Sequence, residues 1–268
     1  MLGKLLKYDF RSMWKQFAFI WPAALVMALL NRFTIGSLDS SDVTRELFSG
    51  VAMLVYVAIL IALFVIALIF IIQRFYLGLL GDEGYLMFTL PVRPWQLIAS
   101  KAICALVAST VSIIVALCSI LLLVPGAMSE LLGIFPEFFA ALGREGGQGA
   151  LLLTELLLAA LVGGLAGFLQ MYLAMAIGHL FGKNRIALSV VAYIAIQAAL
   201  NTVFTAVLVL LAPWMEDHIV PFLVRSMGDN AWSVIHGGLW LIILVTILIG
   251  AVFFFGTERI LRKRLNLE

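Results

Sequence analysis

From Val51 to Ile72 the chain contains neither a charge nor a proline. A helix needs about 20 apolar residues to cross the ~30 Å hydrocarbon layer, and in lipid its backbone groups must be satisfied within the segment. This run is therefore read as a transmembrane helix. Five more apolar runs follow the same logic: Gln16 to Phe33, Ala102 to Val124, Ala150 to Ile177, Ile186 to Leu211 and Val234 to Phe255. The run from Gln16 is the weakest, with a short apolar core and with Pro22 inside it, which is expected to bend the helix. A cleavable signal peptide is the poorer account of this segment, because a long stretch precedes the apolar run and no small-residue cleavage site follows it. Composition agrees, with 64% hydrophobic residues, 12% charged residues and a mean hydropathy of +1.14; a soluble domain carries about a quarter of its residues as charge. The expectation is an all-α polytopic membrane protein: an amphipathic interfacial helix over residues 1–15, then a six-helix transmembrane domain over 16–268. A soluble enzyme, a nucleic-acid reader and a disordered scaffold are excluded.

Lys and Arg set the direction, because cytoplasmic segments hold the excess. Of the 17 such residues, 13 fall at the N terminus, in the segment 73–101, at Lys183 and Arg185, and at the C terminus, while the other four belong to the alternate loops 34–50, 125–149 and 212–233: Arg32 just before the first, and Arg45, Arg144 and Arg225 within them. Both termini are therefore expected in the cytoplasm, which makes 73–101 an inner loop and the other three outer loops.

Residues 2 to 15 read as an amphipathic helix. Leu2, Leu6, Phe10, Met13 and Phe17 recur at helical spacing, and Lys4, Lys7, Arg11 and Lys15 form a separate stripe. Such a segment lies in the headgroup plane, apolar side down, with its cations toward anionic lipid; the alternative is a positive flank that only fixes orientation. The inner loop is too long for a tight turn and too rich in Phe, Tyr, Leu and Trp for a solvated linker. Gly81 and Gly84 flank Asp82 and Glu83, suggesting a break between two short helices, the second ended by Pro91 and Pro94. Aromatics around a carboxylate pair suit a docking site for a soluble partner; the alternative is a loop folded back on its own bundle.

The run from Gly81 through Asp82, Glu83, Gly84, Tyr85, Leu86, Met87, Phe88, Thr89, Leu90, Pro91 and Val92, followed by Gln96, Leu97 and Lys101, closely resembles the loop between the second and third spans of bacterial ABC-2 type permeases, the membrane subunits of ATP-driven exporters. The resemblance extends to the basic interfacial helix, the six spans and the long outer segment before the last span. It implies that the loop is a coupling helix seated on a nucleotide-binding subunit, with Phe75, Asp82, Glu83, Tyr85 and Phe88 in the coupling. It also implies two ATPase subunits per complex that bind ATP and Mg, a second permease, identical or homologous, and a place in the bacterial cytoplasmic membrane. For the outer loop 212–233 it implies short re-entrant helices; an ordinary extracellular loop is the alternative. The outer loop 125–149 is expected to include a surface helix and a mobile glycine-rich tail from Gly143 to Gly149.

Polar groups within the spans are the candidate pathway lining. Glu155 is the sole carboxylate there, and intramembrane carboxylates are rare and usually functional. It reads as a cargo contact, a partner for a basic residue, or a snorkelling side chain near the interface. Gln170, Gln197 and Asn201 read as interhelical glue or as a dimer-lining polar face, and Gly163 and Gly167 form a GxxxG spacing for close helix approach. His179, His218 and His236 share no metal-ligand spacing, and Cys104 and Cys118 read as small buried thiols.

Catalytic signatures do not occur. Gly182 and Lys183 are followed by Asn184 and lack the glycine of a phosphate-binding loop, and neither HExxH nor GxSxG is present. The chain is therefore expected to be no enzyme and to bind no cofactor or nucleic acid, only membrane lipids and protein partners, with any ATP bound by another chain. The expected function is coupling that ATP hydrolysis to export of an amphipathic cargo, such as a peptide, an antibiotic or a lipid-like molecule. The rivals are an ATP-independent transporter or channel, and a non-transporting scaffold or sensor subunit.

Overall fold

The computed structural model describes residues 2–35, 43–80, 93–123, 147–181 and 184–263, together with scattered positions between 126 and 143. Among these the secondary structure is helical, without strands: α1 (Leu2–Ile35), α2 (Val43–Phe75), α3 (Pro94–Leu123), α4 (Gln148–His179), α5 (Arg185–Trp214) and α6 (Val220–Lys263). Five segments are individually long and apolar enough to cross a membrane, and α1 supplies a sixth if its two halves, Leu2–Lys15 and Phe17–Phe33, are counted as one span bent by 42°. The chain is an all-α multi-pass membrane protein. That bend falls at Gln16, well before Pro22, so it marks the passage from the cationic to the apolar segment and is not at the proline.

The chain divides into two compact units, Met1–Phe75 with Ala99–Ala141, and Tyr76–Ile98 with Leu142–Glu268. In the first, α1 and α2 pack around Phe17, whose ring stacks on Trp21 at 5.0 Å and meets Phe70 edge-on at 5.1 Å. Further along, Ala28, Tyr56 and Leu123 form a buried cluster with Leu60 and Leu122 at its border. Hydroxyl and indole groups buried among these helices are paired, as lipid surroundings demand. Tyr56 Oη and Ser119 Oγ are 2.8 Å apart, and Trp21 Nε1 donates to Ser112 Oγ at 3.1 Å.

In the second unit α4 packs against both α5 and α6. The α4–α5 connection is tight: Asn184 adopts a left-handed backbone (φ 58°, ψ 40°) and begins α5 by accepting the Leu188 amide at 3.0 Å. Gly178 makes this closeness possible, since a Cβ there would lie 2.5 Å from the Ser189 amide nitrogen and 2.6 Å from its Cα. Gly250 of α6 similarly leaves room for Ala166 of α4, whose Cβ would be 3.5 Å from an added methyl. No helix of this chain uses the GxxxG face among the described residues: a Cβ on Gly163 or Gly167 would meet nothing within 4 Å. Close approach uses glycines nearer the helix end and on the partner helix.

Several boundaries also differ from expectation. The third span starts at Pro94, not near Ala102, so Pro94 opens a helix and does not end one. Proline is favoured in the first helical turn, where its missing amide has no partner to lose. Lys101 consequently lies inside α3 and is buried, not flanking it. Segment 212–233 is helical: a π-helical turn, Met215–Ile219, extends α5, and α6 starts at Val220 and is broken only at Asn230 (φ −158°, ψ 86°). Asn230 acts as the N-cap of the helix that follows, its Oδ1 accepting the Ser233 amide at 3.4 Å. The described residues between 129 and 143 are helical and exposed. Cys118 is exposed, contrary to its reading as a buried thiol, whereas Cys104 is buried.

Candidate functional site: ion clusters at the span ends

Asp9 is the only acidic residue in the first 15. It falls within the stripe formed by Leu2, Leu6, Met13 and Phe17, so the side of the helix that buries Met13 and Phe17 also buries its carboxylate, which is 6% exposed. A carboxylate in such a place must be paired and hydrogen-bonded. Its Oδ1 accepts from Arg74 Nη2 at 2.6 Å and lies 3.6 Å from Lys101 Nζ, while its Oδ2 accepts from Ser100 Oγ at 2.6 Å. Arg74 stands in the last turn of α2, and Ser100 and Lys101 stand in α3. One carboxylate thus ties the N-terminal half of α1 to the two helices between which the loop around 81–92 runs. The cluster carries two cations against one anion.

This arrangement corrects the expected seating of α1. Its apolar side is against α2 and α3, not against lipid: Met13 and Phe17 are buried, and Phe17 touches Phe70. Phe75, expected in coupling, is fully buried at the end of α2 and does not present its ring at the surface. Asp82, Glu83, Tyr85 and Phe88 lie outside the described residues. On the near side of that loop, α2 continues as a π-helical turn, Tyr76–Leu80, with Gly78, Leu79 and Leu80 buried. π-Turns are rare and concentrate at functional sites. Within the second unit, Tyr76 meets the ring of His179, in the last turn of α4, edge-on at 5.9 Å.

Glu155 is 7% exposed and is neither snorkelling nor alone. Its Oε2 lies 2.6 Å from His236 Nδ1, and His236 Nε2 lies 3.0 Å from Gln148 Oε1, so α4 and α6 are joined by a three-residue polar chain. Trp232 stacks on the His236 ring at 5.9 Å. His236 is thus engaged with Glu155, the alternative in which that carboxylate partners a basic residue, and not with another histidine. Gln170 Nε2 donates to Gln197 Oε1 at 2.9 Å, joining α4 to α5 in the manner of interhelical glue. Asn201 is exposed, as is every residue of α5 from 201 to 214. No group of three or more metal-ligating side chains occurs among the described residues.

Neither the Asp9 cluster nor the Glu155–His236 pair was singled out from the sequence. For Asp9 the available signal was a lone acid at an apolar position of an amphipathic helix. For Glu155 it was a histidine at comparable depth in another span.

Comparison with protein-family models, with curated proteins and with solved structures finds no match to this chain.

Proposed function

We propose that the chain is the permease subunit of an ABC-type exporter. In this reading the loop around residues 81–92 docks a separate ATPase at the cytoplasmic face, and the spans convert the movement of that ATPase into a change of access for an amphipathic cargo. Two ATPase subunits and a second permease, identical or homologous, complete the complex. The observation that carries the reading is the Asp9 cluster: a segment that resembles a coupling helix springs from helices α2 and α3, which are fastened near its ends to α1 by a buried carboxylate. A docking loop must pass force to the spans without yielding at its roots, and paired, desolvated charges resist such yielding. Phe75 then contributes by packing at the root, and Asp82, Glu83, Tyr85 and Phe88 contribute by touching the ATPase. Glu155, Gln170 and Gln197 serve first as interhelical contacts, and Asn201 keeps its candidacy for the lining. The exposed stretch of α5 is the natural place for the second permease.

Buried Glu155, paired with the part-buried His236, favours a second reading, an ion-coupled transporter that works without ATP. Affinity purification from native membranes, in mild detergent and with the neighbouring proteins present, separates the two. The exporter reading expects an ATP-binding subunit to co-purify in equal amount and to hydrolyse ATP. Purification of the chain alone, with transport driven by a proton gradient, supports the second.

A further inference from the structure

The side of α1 that faces away from α2 and α3 has its own composition. Lys4, then Lys7 with Tyr8, then Arg11, then Trp14 with Lys15 recur at three- and four-residue spacing, so they form one stripe, and all six are exposed, Tyr8 at 70% and Trp14 at 64%. The stripe runs 11 steps from Lys4 to Lys15, or ~17 Å at 1.5 Å per residue, and contains four cations and no acid. Asp9, the one carboxylate within residues 1–15, points to the opposite side and is occupied by Arg74, Ser100 and Lys101. With the apolar side of the helix taken up by α2 and α3, what remains for the surroundings is a row of cations with two amphipathic rings among them.

Position limits what that row can meet. The segment runs directly into Phe17–Phe33, one of the apolar stretches, at an angle of 42°. Four cations do not lie in hydrocarbon, so the stripe sits at headgroup level, where Trp and Tyr concentrate. Phosphate oxygens are the matching acceptors for Arg and Lys there. We propose that this stripe is a binding surface for anionic phospholipid headgroups. A lipid is favoured over a soluble polyanion because Tyr8 and Trp14 gain by entering the interface only when the phosphates belong to a membrane. Asp9, on the reverse side of the same helix, gives the bound lipid a mechanical consequence: a helix fixed to headgroups also fixes Arg74, Ser100 and Lys101. The proposal does not depend on the exporter reading.

The test uses the purified full chain in detergent micelles. It is titrated with phosphatidylglycerol or with phosphatidylcholine of identical acyl chains, and bound lipids are counted by native mass spectrometry. Each cation near an anionic surface contributes roughly five-fold to affinity. The wild-type chain should therefore prefer phosphatidylglycerol, and a variant carrying Lys4→Gln, Lys7→Gln, Arg11→Gln and Lys15→Gln should lose that preference by on the order of several hundred-fold at low salt. Because removing four cations can also disturb insertion, the wild-type chain is measured in parallel across a salt series, where the preference should fall as screening shortens from ~10 Å at 0.1 M to ~3 Å at 1 M. Tyr8→Ser with Trp14→Ser should weaken both lipids. Equal retention of the two lipids by the wild-type chain, or a preference that survives both the four-cation variant and high salt, would overturn the proposal. So would full displacement of phosphatidylglycerol by a short oligonucleotide at matched charge concentration.

Discussion

Replacing Asp9 by Asn keeps the shape of the side chain and an acceptor for Ser100 Oγ, and removes only the charge that Arg74 and Lys101 share. Breaking a buried ion pair by taking away one partner costs about 3–5 kcal/mol, because the other charge is left buried and uncompensated. The two cations differ in how much of this they feel. The Lys101 side chain is 2% exposed and cannot reach water without moving α3, whereas that of Arg74 is 26% exposed and is partly hydrated in place. The Arg74 share therefore falls toward the ~1 kcal/mol ceiling of exposed pairs, and Lys101 carries most of the loss. Asp9→Asn should destabilise the chain by about 3 kcal/mol, and Asp9→Asn combined with Lys101→Met should recover most of it. The assay is equilibrium unfolding in mixed micelles for the wild type, the two single variants and the double variant. The coupling within the cycle should reach at least about 1.5 kcal/mol. An Asp9→Asn protein within about 0.5 kcal/mol of wild type, or single effects that simply add, would refute the claim that this carboxylate fastens α1 to the base of the loop.

Gly178→Ala places a methyl against the Ser189 backbone and should cost at least the ~1–3 kcal/mol of overpacking, whereas Gly163→Ala, which meets open space, should be silent; thermal unfolding in detergent compares them. Glu155→Leu leaves Nδ1 of the part-buried His236 without its acceptor and should destabilise by about 1–3 kcal/mol. Adding His236→Leu should return most of that, a rescue read in the same unfolding assay. Gln170→Leu and Gln197→Leu should each lower stability and show a coupling near the ~0.6 kcal/mol typical between membrane helices, measured by a double-mutant cycle.

Much of the architecture was legible because a bilayer leaves a chain few options. Twenty apolar residues without charge have one stable form there, so the spans could be read off the sequence. The start of α3 was misplaced for a physical reason. Lys101 looks like the flank of a span, since a cation at a helix end normally reaches water, but it is held inside the helix by a carboxylate 92 positions earlier. Long-range pairing of this kind leaves no mark in local spacing. The same holds for Glu155 and His236, 81 residues apart, and for the seating of α1, whose apolar stripe was visible while the surface that would cover it was not. Gln170 and Gln197 were readable as glue because an amide in lipid has few alternatives. The glycines were not, since GxxxG spacing defines a face but not whether a neighbour stands before it.

What the loop between α2 and α3 touches distinguishes an exporter subunit from its rivals, and site-specific crosslinking in living cells measures this directly. A photo-reactive amino acid placed at Tyr85 should give, on illumination, one adduct with an ATP-binding subunit, and changing Asp82 and Glu83 to Lys should abolish that adduct while the chain still inserts. Adducts confined to lipid, to the chain's own spans or to a protein outside the cytoplasm would contradict the account.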